Sequence, residues 1–320
     1  MKRILLERPQ RQHQAVVTVG SFDGLHIGHR AVVDRVKEIA GLRDGTSIVV
    51  TFDPHPRQVI VPDSAPKLLT SLAEKSAVLG RAGVDLLAVV PFTKDLRKLG
   101  AEAFVDRYLV DFLGAETVVV GYDHGFGRDR AGNLDTIQGI AKKRGFDVVA
   151  VPPTLLDGEP ASSTRVRAHI EVGELDEAVR ILGSGYPILG SVEEGDRRGR
   201  TIGFPTANLA LPSSKLLPPD GVYAGWVQEE ARAYMAVANL GTRPTFNGTD
   251  RKFEVHLLDY EGDLYGRDVE IAINTRLRAE QKFDGLEVMK SQINKDIVEA
   301  RRRLEQTSIS MDAHNSTDGG

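Results

Sequence analysis

The chain reads as an α/β domain built on a parallel sheet, followed by a small antiparallel barrel or sandwich that a C-terminal helix closes. Three observations carry this. Over the first half, continuous apolar, β-branched runs alternate with stretches of helical spacing, the pattern of a sheet covered on both faces. Over the second half, short β-like runs follow one another through turn signals with no helices between them. At Gly183-Ser184-Gly185-Tyr186-Pro187 the rhythm changes from one to the other. The expected division is residues 1–185, residues 186–306, and a polar, aperiodic, disordered tail over 307–320.

Taken in order, residues 15–19 form the first buried strand and 30–42 a helix, with Val32, Val36, Ile39 and Ala40 on one face. Residues 46–51 are the next strand, which runs into Phe52-Asp53-Pro54-His55-Pro56-Arg57, where two prolines stop regular structure. Ser71 and Glu74 have capping-box spacing and open a helix that ends near Gly80 or Gly83. Residues 84–90, 117–121 and 147–151 are further strands, with helical patterns over 101–113 and 132–144. The second-half runs are 188–192, 221–227, 232–240, 251–259 and 269–274. A closing helix starts at Asp284, and Leu286, Met289, Ile293, Ile297 and Leu304 give it one apolar stripe to pack on the barrel.

The chemistry concentrates where the strand over 15–19 hands over to its helix, at Gly20-Ser21-Phe22-Asp23-Gly24-Leu25-His26-Ile27-Gly28-His29. The first N–H groups of a helix lack intrahelical partners and sit at the positive end of the macrodipole. A phosphate is their natural guest. Two imidazoles bracketing a glycine add donors that become cationic with a modest rise in pKa. The competing reading is a turn with two ordinarily hydrogen-bonded histidines, and the strand–turn–helix context favours the phosphate site.

Other candidates lie further along. His55 and Arg57 stand in a loop at a strand's C-terminal end, where open α/β sheets bind ligands. Phosphate donors and a solvated loop are equal readings there. A glycine-rich turn, Tyr122-Asp123-His124-Gly125-Phe126-Gly127-Arg128, follows the strand over 117–121. Ser162-Ser163-Thr164-Arg165-Val166-Arg167 offers a second helix start. It is a simple N-cap or an anion-binding element, the latter favoured by two arginines near a positive helix end.

In the second half, Gly195-Asp196-Arg197-Arg198-Gly199-Arg200-Thr201-Ile202-Gly203-Phe204-Pro205-Thr206-Ala207-Asn208 combines glycines and arginines that can cradle phosphates. It is not a Walker loop, being one residue short with Arg200 where lysine belongs. Thr206 and Asn208 offer hard oxygens that suit Mg²⁺ together with nucleotide phosphates. A surface turn running into a strand explains the same residues. In Phe253-Glu254-Val255-His256, alternation puts Phe253 and Val255 on one face and Glu254 and His256 on the other. Glu254 is then an exposed strand carboxylate or a general base for a hydroxyl nucleophile.

Composition bounds the rest. A net charge of −4 gives no reason to expect a nucleic-acid or membrane partner. No cysteine is present, which excludes disulfides, thiolate catalysis and sulfur-ligated zinc. The apolar run in Met1-Lys2-Arg3-Ile4-Leu5-Leu6-Glu7-Arg8 is too short for a signal peptide, and no later run approaches a membrane span. A cytoplasmic protein is expected.

Five motifs, in order, resemble those of the bacterial bifunctional riboflavin kinase/FMN adenylyltransferase family, also called FAD synthetases. They are Gly20-x-Phe22-Asp23-Gly24-Leu25-His26-x-Gly28-His29, Thr51-Phe52-Asp53-Pro54-His55-Pro56, Val120-Gly121-Tyr122-Asp123-His124-Gly125-Phe126-Gly127, Ser162-Ser163-Thr164-x-x-Arg167 and Gly203-Phe204-Pro205-Thr206-Ala207-Asn208. The His-x-Gly-His element is shared by many nucleotidyltransferases, whereas Gly-Phe-Pro-Thr-Ala-Asn is nearly private to riboflavin kinase modules. The resemblance spans the chain apart from about the first dozen residues and the tail. It implies a Rossmann-like nucleotidyltransferase domain with a parallel sheet, then a small antiparallel β-barrel riboflavin kinase domain with a C-terminal helix.

It further implies that the second module phosphorylates riboflavin from ATP to give FMN. Glu254 would be its base, Gly199, Arg200, Gly203, Pro205, Thr206 and Asn208 would bind ATP, and Thr206 and Asn208 would also hold Mg²⁺. The first module would join FMN to a second ATP, giving FAD and pyrophosphate. Gly20, Phe22, Asp23, His26, Gly28, His29, His55, Ser163, Thr164 and Arg167 would surround the triphosphate, with His26 and His29 catalytic. Asp123 and Phe126 would line the flavin or nucleotide turn. Tyr122-Asp123-His124 departs from the commonest pattern, an acidic residue, then Asn or Asp, then Phe, so no contact is carried over to His124. Leu182-Gly183-Ser184-Gly185-Tyr186 lacks the arginine and proline commoner between Gly and Tyr. The alternatives are another His-x-Gly-His nucleotidyltransferase, such as a class I aminoacyl-tRNA synthetase relative, or a catalytically inactive flavin-binding sensor. Against the first stands the lack of a Lys-Met-Ser-Lys-Ser-type loop or a basic patch for tRNA. Against the second stands the presence of both sets of polar residues.

Overall fold

A computed structural model describes residues 1–122, 125, 132–194, 202–230, 232–245 and 248–315. Contacts divide the chain into two units, Met1–Ser163 and Thr164–Gly320.

The first unit is built on six parallel strands: β1 (Lys2–Leu5), β2 (Ala15–Val19), β3 (Ser47–Asp53), β4 (Leu86–Pro91), β5 (Ala115–Gly121) and β6 (Asp147–Val151). Their order across the sheet is β1-β4-β3-β2-β5-β6. Between them run α1 (Ile27–Leu42), α2 (Pro56–Ile60), α3 (Leu72–Arg81), α4 (Lys94–Lys98), α5 (Ala101–Phe104) and α6 (Leu134–Arg144). The helical pattern expected over 101–113 is present, but from Val105 to Leu113 it is wound in wider π-type turns. A two-residue ribbon, β7 (Leu155–Leu156) with β8 (Glu159–Pro160), follows the sheet.

Successive strand residues point to opposite faces, and both faces are covered. Val16 and Val119 pack with Val32, Val36 and Ile39 of α1, and Val49 and Leu87 pack with Val33 of α1 and Leu79 of α3. Val17, Val19, Ile48, Val50, Val118 and Val120 pack on the opposite side against Phe104, Leu109, Leu113 and Ile137. That is why these strands read as unbroken apolar runs. Strand β1 was not legible as one, because only Ile4 of its four residues is buried and no period shows. The strand order reverses at β2, with β3 and β4 to one side and β5 and β6 to the other. Such a switch point opens a crevice at the strand's C-terminal end.

The second unit begins on α7 (Ser163–Val172) and α8 (Leu175–Leu182) and continues into a closed antiparallel barrel. Its strands are β9 (Tyr186–Glu193), β10 (Ala207–Ala210), β11 (Gly221–Glu229), β12 (Arg232–Thr245), β13 (Gly248–Leu257) and β14 (Asp268–Ala279), in the order β10-β13-β12-β11-β14-β9. Helix α8 packs on β9 and β14, with Leu175, Ile181 and Leu182 buried. The compact unit therefore starts before the change of rhythm at Gly183.

The closing helix is α9 (Leu286–Asn315), and it runs past Thr307 into the stretch read from sequence as a tail. Residues 316–320 lie outside the described ones. Of the expected stripe, Leu304 is buried with Ala300 against Trp226, Met235, Val237 and Leu277, Met289, Ile293 and Ile297 are half-buried, and Leu286 is exposed. The same face carries a buried carboxylate, Asp296, which accepts from Arg278 Nη2 at 2.8 Å.

Leu304 has no exposed surface, so Leu304→Ala should cost about 2–5 kcal/mol through lost transfer energy and a residual cavity. Trp226 is the only tryptophan and packs in the same cluster. Its fluorescence during denaturant unfolding should show the lowered midpoint, and an unchanged midpoint would contradict this packing.

Candidate active sites

The loop after β2 sits at the switch point in a conformation that L-residues resist. Phe22, Gly24 and Leu25 have φ of 46°, 88° and 47°. Only Gly24 adopts this without strain; the other two cost about 1–3 kcal/mol each. Burial of both side chains, packed with Val33 and Leu79, offsets part of that.

Polar pins hold the loop. Thr70 N and Oγ1 donate to Asp23 Oδ1 at 2.9 and 3.3 Å, and Gly24 N donates to Thr70 Oγ1 at 3.0 Å. Ser163 Oγ donates to the Asp23 carbonyl at 2.7 Å. Lys75 Nζ, on α3, donates to the Ser21 carbonyl at 2.5 Å and to Thr51 Oγ1 at 3.0 Å. Asp23 is thus buried and committed to shaping the loop.

The loop delivers two histidines to the start of α1. His26 is the N-cap residue, and its Nδ1 accepts from His29 N at 3.4 Å. The two rings stack with centroids 3.7 Å apart at 23°, and Phe22 meets the His29 ring edge-on at 5.1 Å. A Cβ at Gly28 would lie 3.2 Å from Nδ1 and Cε1 of His26, so a side chain there would press the capping ring out of place. Gly20 continues the β2 ladder, donating to the Val50 carbonyl at 3.0 Å. Nδ1 of His29 is cut off from solvent and has no partner. Burial, then the neighbouring His26 and Lys75, hold the His29 pKa well below the usual imidazole range. His29 is therefore neutral in the free protein. A phosphate bound beside the ring would oppose this shift, because an opposite charge favours the protonated ring.

His55 heads the adjacent loop, after β3. It N-caps α2, with Nδ1 accepting from Arg57 N at 3.2 Å and its own N–H donating to Gln58 Oε1 at 3.0 Å. The first unit thus brings together Gly20, Phe22, Asp23, His26, Gly28, His29 and Ser163, with His55 on the loop of the neighbouring strand. Thr164 and Arg167 continue α7 but belong to the second unit. Asp123 and Phe126 lie outside the described residues.

Sequence reasoning missed Lys75, Thr51 and Thr70. For Lys75 a signal was available: Leu72, Lys75 and Leu79 fall on one helical stripe, and Lys75 is buried there with Leu79.

In the barrel, register assembles a different kind of site. Asn208 pairs with Glu193 on one side and Glu254 on the other, and Glu254 pairs in turn with Asn239. Directly opposed residues share a face with Cβ atoms about 4.5–5.5 Å apart. A row of four polar side chains, Glu193-Asn208-Glu254-Asn239, therefore crosses β9, β10, β13 and β12. The expected alternation is present: Phe253 and Val255 are buried, Glu254 and His256 half-buried. His256 Nδ1 lies 2.7 Å from the Pro205 carbonyl, which requires the proton on that nitrogen, and its ring meets Phe204 edge-on at 5.9 Å. This contact fixes the approach to Thr206 and Asn208. Gly203, at φ 92°, makes the turn before it. Gly199 and Arg200 lie outside the described residues. Asn239 and Glu193 were not singled out from sequence, since cross-strand neighbours carry no local signal.

Among the described residues no group of three or more His, Asp or Glu could hold a metal by itself. The Thr206, Asn208 and Glu254 oxygens are hard donors of the kind that share Mg²⁺ with a nucleotide's phosphates.

Comparisons with known proteins follow the same division. A family model described as FAD synthetase matches residues 8–165, and one described as riboflavin kinase matches residues 182–304. A Pseudomonas fluorescens protein named bifunctional riboflavin kinase/FMN adenylyltransferase is 41% identical over 295 residues, covering 92% of this chain and 94% of its own. Proteins of the same name from Listeria monocytogenes and Escherichia coli K12 are each 38% identical, covering 94% and 91% of this chain and 98% and 93% of their own. A solved Streptococcus pneumoniae structure, titled a macrolide-efflux protein, is 31% identical with a TM-score of 0.80, covering 93% of this chain and 98% of that one. Among the described residues no helix is long and apolar enough to cross a membrane.

The depressed His29 pKa has a signed consequence. The unfolded chain takes up this proton first, so the stability contributed by neutral His29 is present above about pH 6.5 and is lost as pH falls toward the folded value. Hydrogen exchange of α1 amides at about pH 7.5 and about pH 5.5 should show a larger loss of protection in the native protein than in His29→Gln. Equal losses would contradict a neutral, buried His29.

Proposed function

The chain belongs to the bifunctional riboflavin kinase/FMN adenylyltransferase family, and we propose from that membership how its two units divide the making of FAD. The barrel unit phosphorylates riboflavin. The ribityl 5′-hydroxyl attacks the γ-phosphorus of ATP, its proton passes to the Glu254 carboxylate, and the bond to the β-phosphate oxygen breaks to release ADP. Asn208 and Thr206 contact the phosphates, with Gly203 and Pro205 shaping the turn, and the family resemblance adds Gly199 and Arg200 to the ATP contacts. Thr206 and Asn208 are the residues that would hold Mg²⁺, which would supply charge neutralisation at the transferring group.

The sheet unit adenylylates FMN. An oxygen of the FMN phosphate attacks the α-phosphorus of a second ATP, and the bond to the β-phosphate breaks to release pyrophosphate. The nucleophile is already anionic, so no general base is needed. What the step requires is charge stabilisation on the triphosphate. His26, His29 and the open N–H groups of α1 supply it, His55 adds to it from the β3 loop, and the family resemblance implies Ser163, Thr164 and Arg167 as further phosphate contacts. Asp123 and Phe126 contribute to the flavin or nucleotide contact. A cytoplasmic setting is part of the same proposal.

The observation that carries the adenylylation assignment is the stacked His26–His29 pair at the start of α1, at the point where the strand order reverses. The observation that carries the kinase assignment is the ladder pairing of Asn208 with Glu254.

Riboflavin, ATP and Mg²⁺ incubated with the protein should yield FMN and then FAD on separation of the flavins. His29→Ala should lower FAD formation by about 10²-fold or more while FMN accumulates. Glu254→Ala should lower FMN formation by about 10²-fold or more while supplied FMN is still converted to FAD. A single substitution that abolished both activities in a folded protein would overturn the division of labour.

A further inference from the structure

We propose that Lys75 is the resident cation of the adenylyl-transfer site, a positioning residue that ties the loop after β2 to strand β3 and supplies a fixed positive charge behind the two histidines. The proposal rests on the adenylylation reading of the first unit and adds a residue to it.

Lys75 is buried on α3, whose start is fixed by the reciprocal Ser71–Glu74 capping box. Its ammonium donates to the Ser21 carbonyl, and to Thr51 Oγ1, which itself donates to the same carbonyl at 3.2 Å. One carbonyl of the histidine loop and one hydroxyl of β3 are thereby clamped to a single nitrogen. The clamp sits one residue before Phe22, where the left-handed backbone begins. A buried ammonium carries a desolvation cost of several kcal/mol. A methionine would fill the same apolar stripe without it. The lysine's distinctive contribution is therefore its charge and its donors.

The ionisable groups that face Lys75 are Asp23 on the β2 loop, Asp53 at the end of β3 and His29 on α1. The two carboxylates favour the ammonium, but burial outweighs them and brings its pKa down to about 8. A triphosphate binding beside His29 enters the field of this cation, where low dielectric strengthens the attraction. The cation adds to the burial that keeps His29 neutral in the free protein, and the same charge attracts the anion.

The test compares the native protein with Lys75→Met and Lys75→Arg, measuring kcat/KM for ATP in FAD formation from supplied FMN across pH, with FMN formation from riboflavin as the internal control. In the native protein kcat/KM should fall as pH rises through about 8, because the free enzyme loses the ammonium. Lys75→Met should lose about 10- to 100-fold in FAD formation and lack the alkaline fall, while its FMN formation stays within about twofold of the native value. Lys75→Arg, charged at every pH used, should recover part of the activity and also lack the fall. The proposal is overturned if Lys75→Met forms FAD within about twofold of the native protein, or if both variants lose equally and keep the alkaline limb. Should Lys75→Met not fold, the native profile still decides, since a flat kcat/KM through about pH 9.5 contradicts a titrating Lys75. Failure of the adenylylation reading itself looks different: the native protein would then make FMN and no FAD.

Discussion

The first site depends on one strained turn being held in place. Phe22 and Leu25 occupy left-handed backbone that each would leave if free. They stay because their side chains are buried and because Thr70, Ser163 and Lys75 hydrogen-bond the loop, Thr70 through the Asp23 carboxylate. Everything that gives the first site its character follows from this. The turn ends on His26 as N-cap, the cap orients the His29 backbone, and the glycine between them leaves room for the rings to stack. Strain stored in a loop and offset by its surroundings is a common way to fix a catalytic group, and here the surroundings include side chains from β3, α3 and the first residue of α7.

The two units solve phosphate chemistry by different structural means. On the proposed assignment, the positive end of a helix and two imidazoles face the anion in the sheet unit, and His29 is neutral until the ligand brings charge. In the barrel unit, ladder register does the positioning. Asn208, Glu254 and Asn239 stand opposite one another because their strands pair at those residues, and a one-residue slip of any one strand would turn its member of the row toward the core. Closure of the barrel prevents such a slip by giving every strand two neighbours. A helix start tunes electrostatics; a ladder fixes the separation of the polar side chains that the proposed function uses as base and phosphate contact.

Much of this was legible in the sequence because the relevant signals are local. Buried parallel strands announce themselves as apolar runs, the Ser71–Glu74 box marks a helix start, and the alternation in Phe253–Glu254–Val255–His256 separates core from site. The His-x-Gly-His turn is legible for the same reason, since strand, turn and helix adjoin. What stayed hidden depends on contacts between distant positions. Thr70 is 47 residues from Asp23, which it anchors, and Asn239 reaches Glu254 only through the barrel ladder. The compact unit from Thr164 onward reaches further back than the change of rhythm at Gly183 because α8 packs its apolar face on the barrel, again a contact between distant positions. Strand β1 shows too few buried residues for a period, and α9 extends through residues whose composition reads as a tail.

The central claim is that the helix-start histidines receive the triphosphate and change charge with it. The most direct measurement is an NMR pH titration of the His26 and His29 imidazoles, recorded with and without ATP. The account predicts that His29 titrates well below the usual imidazole range in the free protein and that both rings move to higher pKa values when ATP binds. If ATP left both titrations unchanged in a protein that nonetheless forms FAD, the triphosphate would bind elsewhere and the account would be wrong.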